Sequence, residues 1–158
     1  MFRPIRRKER EIATEEAEAL LRDERRGVLA VNGDEGYPYA VPVNYLYDKE
    51  SQRIIFHGSR AGHKIEAIRA CDKVCFTVYG HETVKKEEWA PFLQSAVIFG
   101  RCHLLEAGEK TNELLKKLAM KYYPNMQLVD DEITRSGKAV QLFVIEIEHL
   151  SGKEIQEK

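Results

Sequence analysis

The residues best equipped for chemistry sit together in one octapeptide, His57-Gly58-Ser59-Arg60-Ala61-Gly62-His63-Lys64. It follows a run of strand formers, Arg53 to His57, and opens a stretch of helical spacing near His63 to Cys71, with Ile65 and Ile68 facing inward. Free amides at a helix N-terminus point at whatever lies before them, and the helix dipole favours negative charge there. Gly58 and Gly62 let the backbone come close, Ser59 offers a hydroxyl, and Arg60, His63 and Lys64 add cationic donors. Together these parts make a phosphate site. The competing reading is a flexible basic loop on a solvated face. A nucleotide-binding P-loop needs four residues between its first glycine and a Gly-Lys pair followed by Ser or Thr. Here three residues separate Gly58 from Gly62, His63 precedes Lys64, and Ile65 follows, so the P-loop fails.

Metal binding fits the remaining side chains poorly. His57 and His63 lie six apart, Cys71 and Cys75 have three residues between them, and Cys102 and His103 are adjacent. None of these matches the paired spacing of zinc ligands, and alternation along a strand sends Cys102 and His103 to opposite faces. No metal is assigned. The three cysteines are odd in number and read as reduced, small buried thiols. Five of the seven tyrosines, Tyr37, Tyr39, Tyr45, Tyr47 and Tyr79, with Trp89, read first as core or interface and second as stacking surface for a flat ligand.

The elements that must carry the octapeptide are mostly strands. Val28 to Val31 ends at the turn Asn32-Gly33-Asp34-Glu35-Gly36, and Tyr37 to Tyr47 follows. Pro38 and Pro42 place that second strand at an edge, a bulge or a gap in pairing, because proline donates nothing to a ladder. Lys73 to Tyr79 alternates, Gly80 to Phe92 reads as a long polar connection, and Ser95 to Glu106 is a strand interrupted by Gly100. Ala139 to Leu150 is apolar on both faces at first, as in a barrel with helices packed outside. Helices are expected at Thr14 to Arg26, with Thr14 capping and Gly27 stopping it, and at Glu109 to Tyr123, stopped by Pro124. A short helix around Asp130 to Arg135 completes the set. The fold class is α+β: a mainly antiparallel split β-barrel of about six strands with peripheral helices.

The chain has 158 residues and a net charge of −1, from 25 Lys plus Arg against 26 Asp plus Glu. That length suits one domain, 1–158, with 1–13 as an N-terminal arm. Balanced charge gives no overall pull toward nucleic acid or anionic membrane. The N-terminus lacks the apolar core of a signal peptide, and no apolar run approaches a membrane span, so the expected location is the cytoplasm.

In order, these segments resemble the pyridoxamine 5′-phosphate oxidase-like FMN-binding split-barrel family, most closely its nitroimidazole-resistance branch. The pieces are Pro38 to Tyr45, Ile55 to Ser59 through Gly62-His63-Lys64, Lys73 to Phe76, Gln94 to Gly100, and Val144 to Ile147 with Ser151-Gly152-Lys153. They span about Gly27 to Lys153. The resemblance implies a homodimer with two FMN sites at the subunit interface and a small-molecule substrate. It implies that Ser59, His63 and Lys64, beside Gly58, hold the flavin phosphate. Val43, Asn44 and Tyr45 present backbone to the isoalloxazine, and Gln94 and Ser95 also approach it. The tail Ser151 to Lys158 lacks the arginines that B6 oxidases use for their substrate's phosphate, so reduction of a small electrophile such as a nitroimidazole is expected instead. For that chemistry the flavin carries the electrons and no side chain need act as acid or base; His57, if it lies near the ring, is a candidate for proton delivery. The alternative is a non-enzymatic binder of flavin or haem in the same barrel, with His57, His63 or His103 as axial ligand.

Overall fold

The computed structural model describes residues 1–123 and 125–156. Six strands and four helices follow one another as α1 (Thr14–Asp23), β1 (Arg26–Asn32), β2 (Pro38–Asp48), β3 (Arg53–Ser59), α2 (His63–Ala70), β4 (Lys73–Thr83), β5 (Phe92–Leu105), α3 (Glu109–Tyr122), α4 (Met126–Ser136) and β6 (Val140–Gln156). All neighbouring strands are antiparallel and close into a ring in the order β1-β2-β3-β6-β5-β4. The expected α+β barrel of six strands is the one observed.

Inward-facing side chains fill the ring. Tyr45, Phe56, Phe76, Phe143, Leu29, Ile54 and Ile98 are fully buried, with Phe56 stacked on Phe143 at 4.8 Å and Tyr45 edge-on to Phe76 at 5.1 Å. α1 adds Ala17, Leu20 and Leu21 to this cluster, and α2 adds Ile65 and Ile68. A second cluster lies on the outer face, where Ile55, Leu142 and Val144 meet Leu118 of α3. β3 and β6 are therefore covered on both faces, as the apolar start of β6 predicts.

Several boundaries differ from expectation. Ala13, not Thr14, caps α1; the cap is completed by the Glu16 carboxylate, which accepts the Ala13 N–H at 3.1 Å. α1 ends at Asp23, and Gly27 lies inside β1, where any Cβ would strike the Phe76 ring. β4 continues to Thr83 and β5 begins at Phe92, so the polar connection shrinks to 84–91. Its ends are polar because this hairpin tip projects into solvent and has no core to face. Gly100 marks a register shift rather than a break, for a Cβ there would meet the Glu146 carbonyl. β6 runs to Gln156 and α4 spans Met126–Ser136. Pro124, the expected stop for α3, lies outside the described residues; α3 ends at Tyr122.

Candidate functional site

The ring is only partly paired between β1 and β4, at Val28 to Ala30, and between β2 and β3, where the chemistry-bearing residues lie. β2 pairs with β1 from Pro38 to Asn44, but with β3 only from Tyr45 to Asp48. β3 in turn pairs with β6 along its whole length, while its His57, Gly58 and Ser59 have no partner in β2. The two strands part after Tyr45 and Phe56, leaving a gap between them.

Strand geometry decides which backbone groups face this gap. The Tyr37 carbonyl accepts the Gly33 N–H, so odd-numbered residues of β2 turn toward β1 and even-numbered ones toward the gap. Pro38 and Pro42 thus direct their missing donors into it, and Ala40 and Asn44 direct whole peptide groups. The prolines sit where the sequence places them, beside a gap in pairing. At the fork, the Tyr122 hydroxyl of α3 accepts the Tyr45 N–H at 2.7 Å and lies 2.5 Å from the Arg25 carbonyl and 2.6 Å from that of Tyr45. It stands in for the ladder step that β1 and β2 would otherwise make.

The far end of the gap is closed by the start of α2. Gly62, at φ 119°, turns the chain into the helix, and the first helical bond is made by Glu66 N–H to the Gly62 carbonyl. The amides of His63, Lys64 and Ile65 consequently have no intrahelical acceptor. His63 stacks on Tyr39 of β2 at 4.2 Å, so α2 reaches back across the gap. Its buried Nε2 has no hydrogen-bond partner, and the nearest acid, Asp34, is 3.6 Å away. Ser59 is exposed, and its Oγ accepts the Ala61 N–H at 3.3 Å, which shapes the turn. Lys64 folds inward over the stacked rings, with Nζ 5.8 Å from the Phe56 centroid and 5.3 Å from that of Phe143. Gly58 makes room for it, since a Cβ there would come within 2.8 Å of Nζ. Burial holds the Lys64 ammonium below its ordinary pKa, and it has no carboxylate partner among the described residues.

The sequence from 13 to 154 matches the family model for pyridoxamine 5′-phosphate oxidase. The chain belongs to the pyridoxamine 5′-phosphate oxidase family. No protein of curated function matches it. Among solved structures, a protein assigned to 5-nitroimidazole antibiotic resistance from Bacteroides thetaiotaomicron superimposes with TM-score 0.77 at 19% identity, over 92% of this chain and 87% of that one. A FAD-binding protein from Mesorhizobium loti gives 0.68 at 24% identity, over 92% and 97%. A flavocytochrome from Azotobacter vinelandii gives 0.76 at 18%, over 98% and 75%. At these identities the structures establish the fold.

This pyridoxamine 5′-phosphate oxidase family member gathers Asn44, His57, Gly58, Ser59, His63 and Lys64 around the gap. Val43 and Tyr45 flank Asn44, but their backbones are spent elsewhere, on β1 and on Tyr122, and the Tyr45 side chain is buried with its hydroxyl donating to the Leu21 carbonyl at 2.6 Å. Gln94 and Ser95 are not brought there. They lie on β5, paired with Gly80 and Tyr79 of β4 and with Glu154 and Lys153 of β6, across the ring. Gln94 is held at 2.9 Å by His81 and at 3.3 Å by Glu154. His57 is exposed, yet the protein packed around it and, second, the Lys64 charge hold its pKa below the ordinary value. Neutral imidazole, with one donor and one acceptor, is therefore its form at neutral pH. Burial pushes the Cys102 thiol up to about 12, which makes it an inert core group as expected. Sequence reading missed Ala40 and gave Tyr39 only as core, interface or stacking surface. The alternation of β2 around its two prolines carried the signal for both.

Proposed function

We propose that the gap between β2 and β3 is a flavin site and that the protein is an FMN-dependent oxidoreductase acting on a small electrophile. One observation carries the reading: a strand gap with unpaired backbone on its β2 edge ends at three free helix amides, an orphaned His63 nitrogen and an unpaired Lys64 ammonium. A flat ring with hydrogen-bonding edges suits the first part, and a phosphate monoester suits the second. Ser59, His63 and Lys64, with the amide of Ile65, are the groups to hold phosphate. Ala40 and Asn44 are the groups to meet the ring edge. When bound, flavin supplies redox chemistry that no side chain of this chain provides. His57, neutral and at the fork of the gap, is placed to hold or deliver a proton at its imidazole nitrogen.

FMN is favoured over FAD because the octapeptide offers a single anion socket. A homodimer fits this reading, because Gln94 and Ser95, on the far wall, would meet a flavin only in a second copy's gap. The same end of the barrel exposes Tyr79, Val84 and Trp89, an apolar surface suited to such an interface. Among the described residues no helix is long and apolar enough to cross a membrane. The three free thiols suit a reducing cytoplasm.

The test is the absorption spectrum of the freshly purified protein, identification of the released cofactor, and anaerobic reduction with NADH and NADPH in the presence of a nitroimidazole. Yellow protein releasing FMN is expected. Ser59→Ala combined with Lys64→Ala should lose FMN while keeping the fold by circular dichroism. Unchanged occupancy rejects the phosphate assignment, and a Soret band in place of flavin absorbance turns the reading to haem.

A further inference from the structure

The gap does not end at its fork. Asn44 on β2 and His57 on β3, the first residues past the fork on each side, also line a cavity of about 460 Å³ that opens between α3 and α4. That volume falls in the ordinary range for small-molecule sites, roughly 300–1,000 Å³. Its walls are mostly apolar, with Leu115, Leu118 and Tyr122 from α3 and Leu128, Val129 and Ile133 from α4. Among the described residues the only opposite charges lining it, Glu132 and Arg135, form an exposed ion pair at 2.7 Å. α4 is otherwise lightly held: of its residues only Val129 is buried, and Lys116 of α3 grips Asp130 at 2.7 Å.

We infer that this α3–α4 cavity is the substrate pocket and that it takes uncharged, flat ring compounds whose acceptor oxygen meets Asn44 and His57. This rests on the flavin reading of the adjoining gap. An anion entering the cavity would give up its hydration to leucines, with the one lining cation, Arg135, already bonded to Glu132, which is costly. A neutral ring displaces loosely held water from apolar walls and meets two neutral polar side chains at the floor. The pocket therefore discriminates by charge, against phosphorylated substrates, and α4 sets its size.

Calorimetric titration of the purified protein at neutral pH with 2-naphthol and with 2-naphthyl phosphate tests this, alongside its flavin absorbance. Binding of naphthol at least about tenfold tighter than the phosphate is expected. Leu128→Asp, at an exposed position that the fold tolerates, should weaken naphthol about tenfold with flavin content unchanged, and Ile133→Trp should do the same by filling the cavity. Glu132→Gln frees Arg135 and should bring the phosphate to within about threefold of naphthol. Equal affinity of the wild type for both probes, or naphthol binding indifferent to both Leu128→Asp and Ile133→Trp, overturns the pocket. Protein that binds naphthol through these residues but never takes up flavin overturns the cofactor reading instead.

Discussion

The wall built from β4, β5 and β6 and the region where β2 leaves β3 are made of the same kind of strand, yet they are finished differently. β5 pairs with β6 from Phe92 to Leu105 and with β4 from Lys73 to Thr83, and Phe76 fills the interior behind them against Gly27. In β2, residues 38–44 have one neighbour, two prolines and exposed Ala40 and Pro42. The closed wall spends its backbone on itself and so supplies stability. The open segment pairs with β1 alone and leaves its other backbone edge free of the sheet. Full pairing and open edge are thus kept to separate segments, and in β2 the change falls at Tyr45.

The comparison breaks first, and most visibly, at Phe76. Phe76→Ala leaves a cavity in the closed wall's core and should cost about 3–5 kcal/mol in denaturant unfolding. A loss below ~1 kcal/mol would mean that the wall is not what holds the barrel. At the boundary, Tyr122→Phe removes the hydroxyl that serves Tyr45 and Arg25 and should cost about 1–3 kcal/mol by the same measurement.

Beside the fork, Lys121 lies over the Tyr45 ring at 4.1 Å and donates to the Glu24 carbonyl. Burial, and second the nearby Arg25, pull its pKa down to about 8, while Glu24 and Asp23 oppose this. Between that value and the ordinary lysine value the unfolded chain holds the proton more firmly than the native one. Stability therefore rises with pH across this window. Relative to Lys121→Met, wild-type denaturation midpoints should climb from pH 8 to pH 10. Beyond that, buried Tyr45, whose pKa is raised by burial, works in the opposite sense. A flat difference between the two proteins would place Lys121 in solvent. The smallest effect belongs to the open segment. Pro42→Val restores a donor that faces the gap and should change stability by less than about 1 kcal/mol. A loss as large as that of Phe76→Ala would show that β2 is closed after all.

Much of this division is legible in the chain itself. Alternation at Lys73 to Tyr79 and the doubly apolar start of β6 reveal strands and their covered faces, because burial selects residue type directly. Pro38 and Pro42 reveal the gap for the same local reason. The octapeptide reveals donors suited to an anion but not their geometry. Lys64 turns inward because Gly58 leaves space beneath it, a fit between two elements that neither shows alone. Gln94 and Ser95 read as site residues, yet closure of the ring carries them to the opposite wall, and ring order is a property of pairing at long range. The cavity beside α4 was equally hidden. The sequence around it is polar and suggests only a short helix at Asp130 to Arg135, whereas α4 spans Met126–Ser136 with only Val129 buried.

The two prolines have a second consequence, for the protein before it meets any ligand. A bare strand edge invites another molecule to add its own strand, the route to aggregation. A guest strand finds N–H groups along such an edge about every 7 Å. Here Ala40 and Asn44 offer donors, but Pro38 and Pro42 withhold theirs, so a newcomer meets every second rung missing. The same residues that hold a place open in the barrel also keep stray polypeptide from filling it.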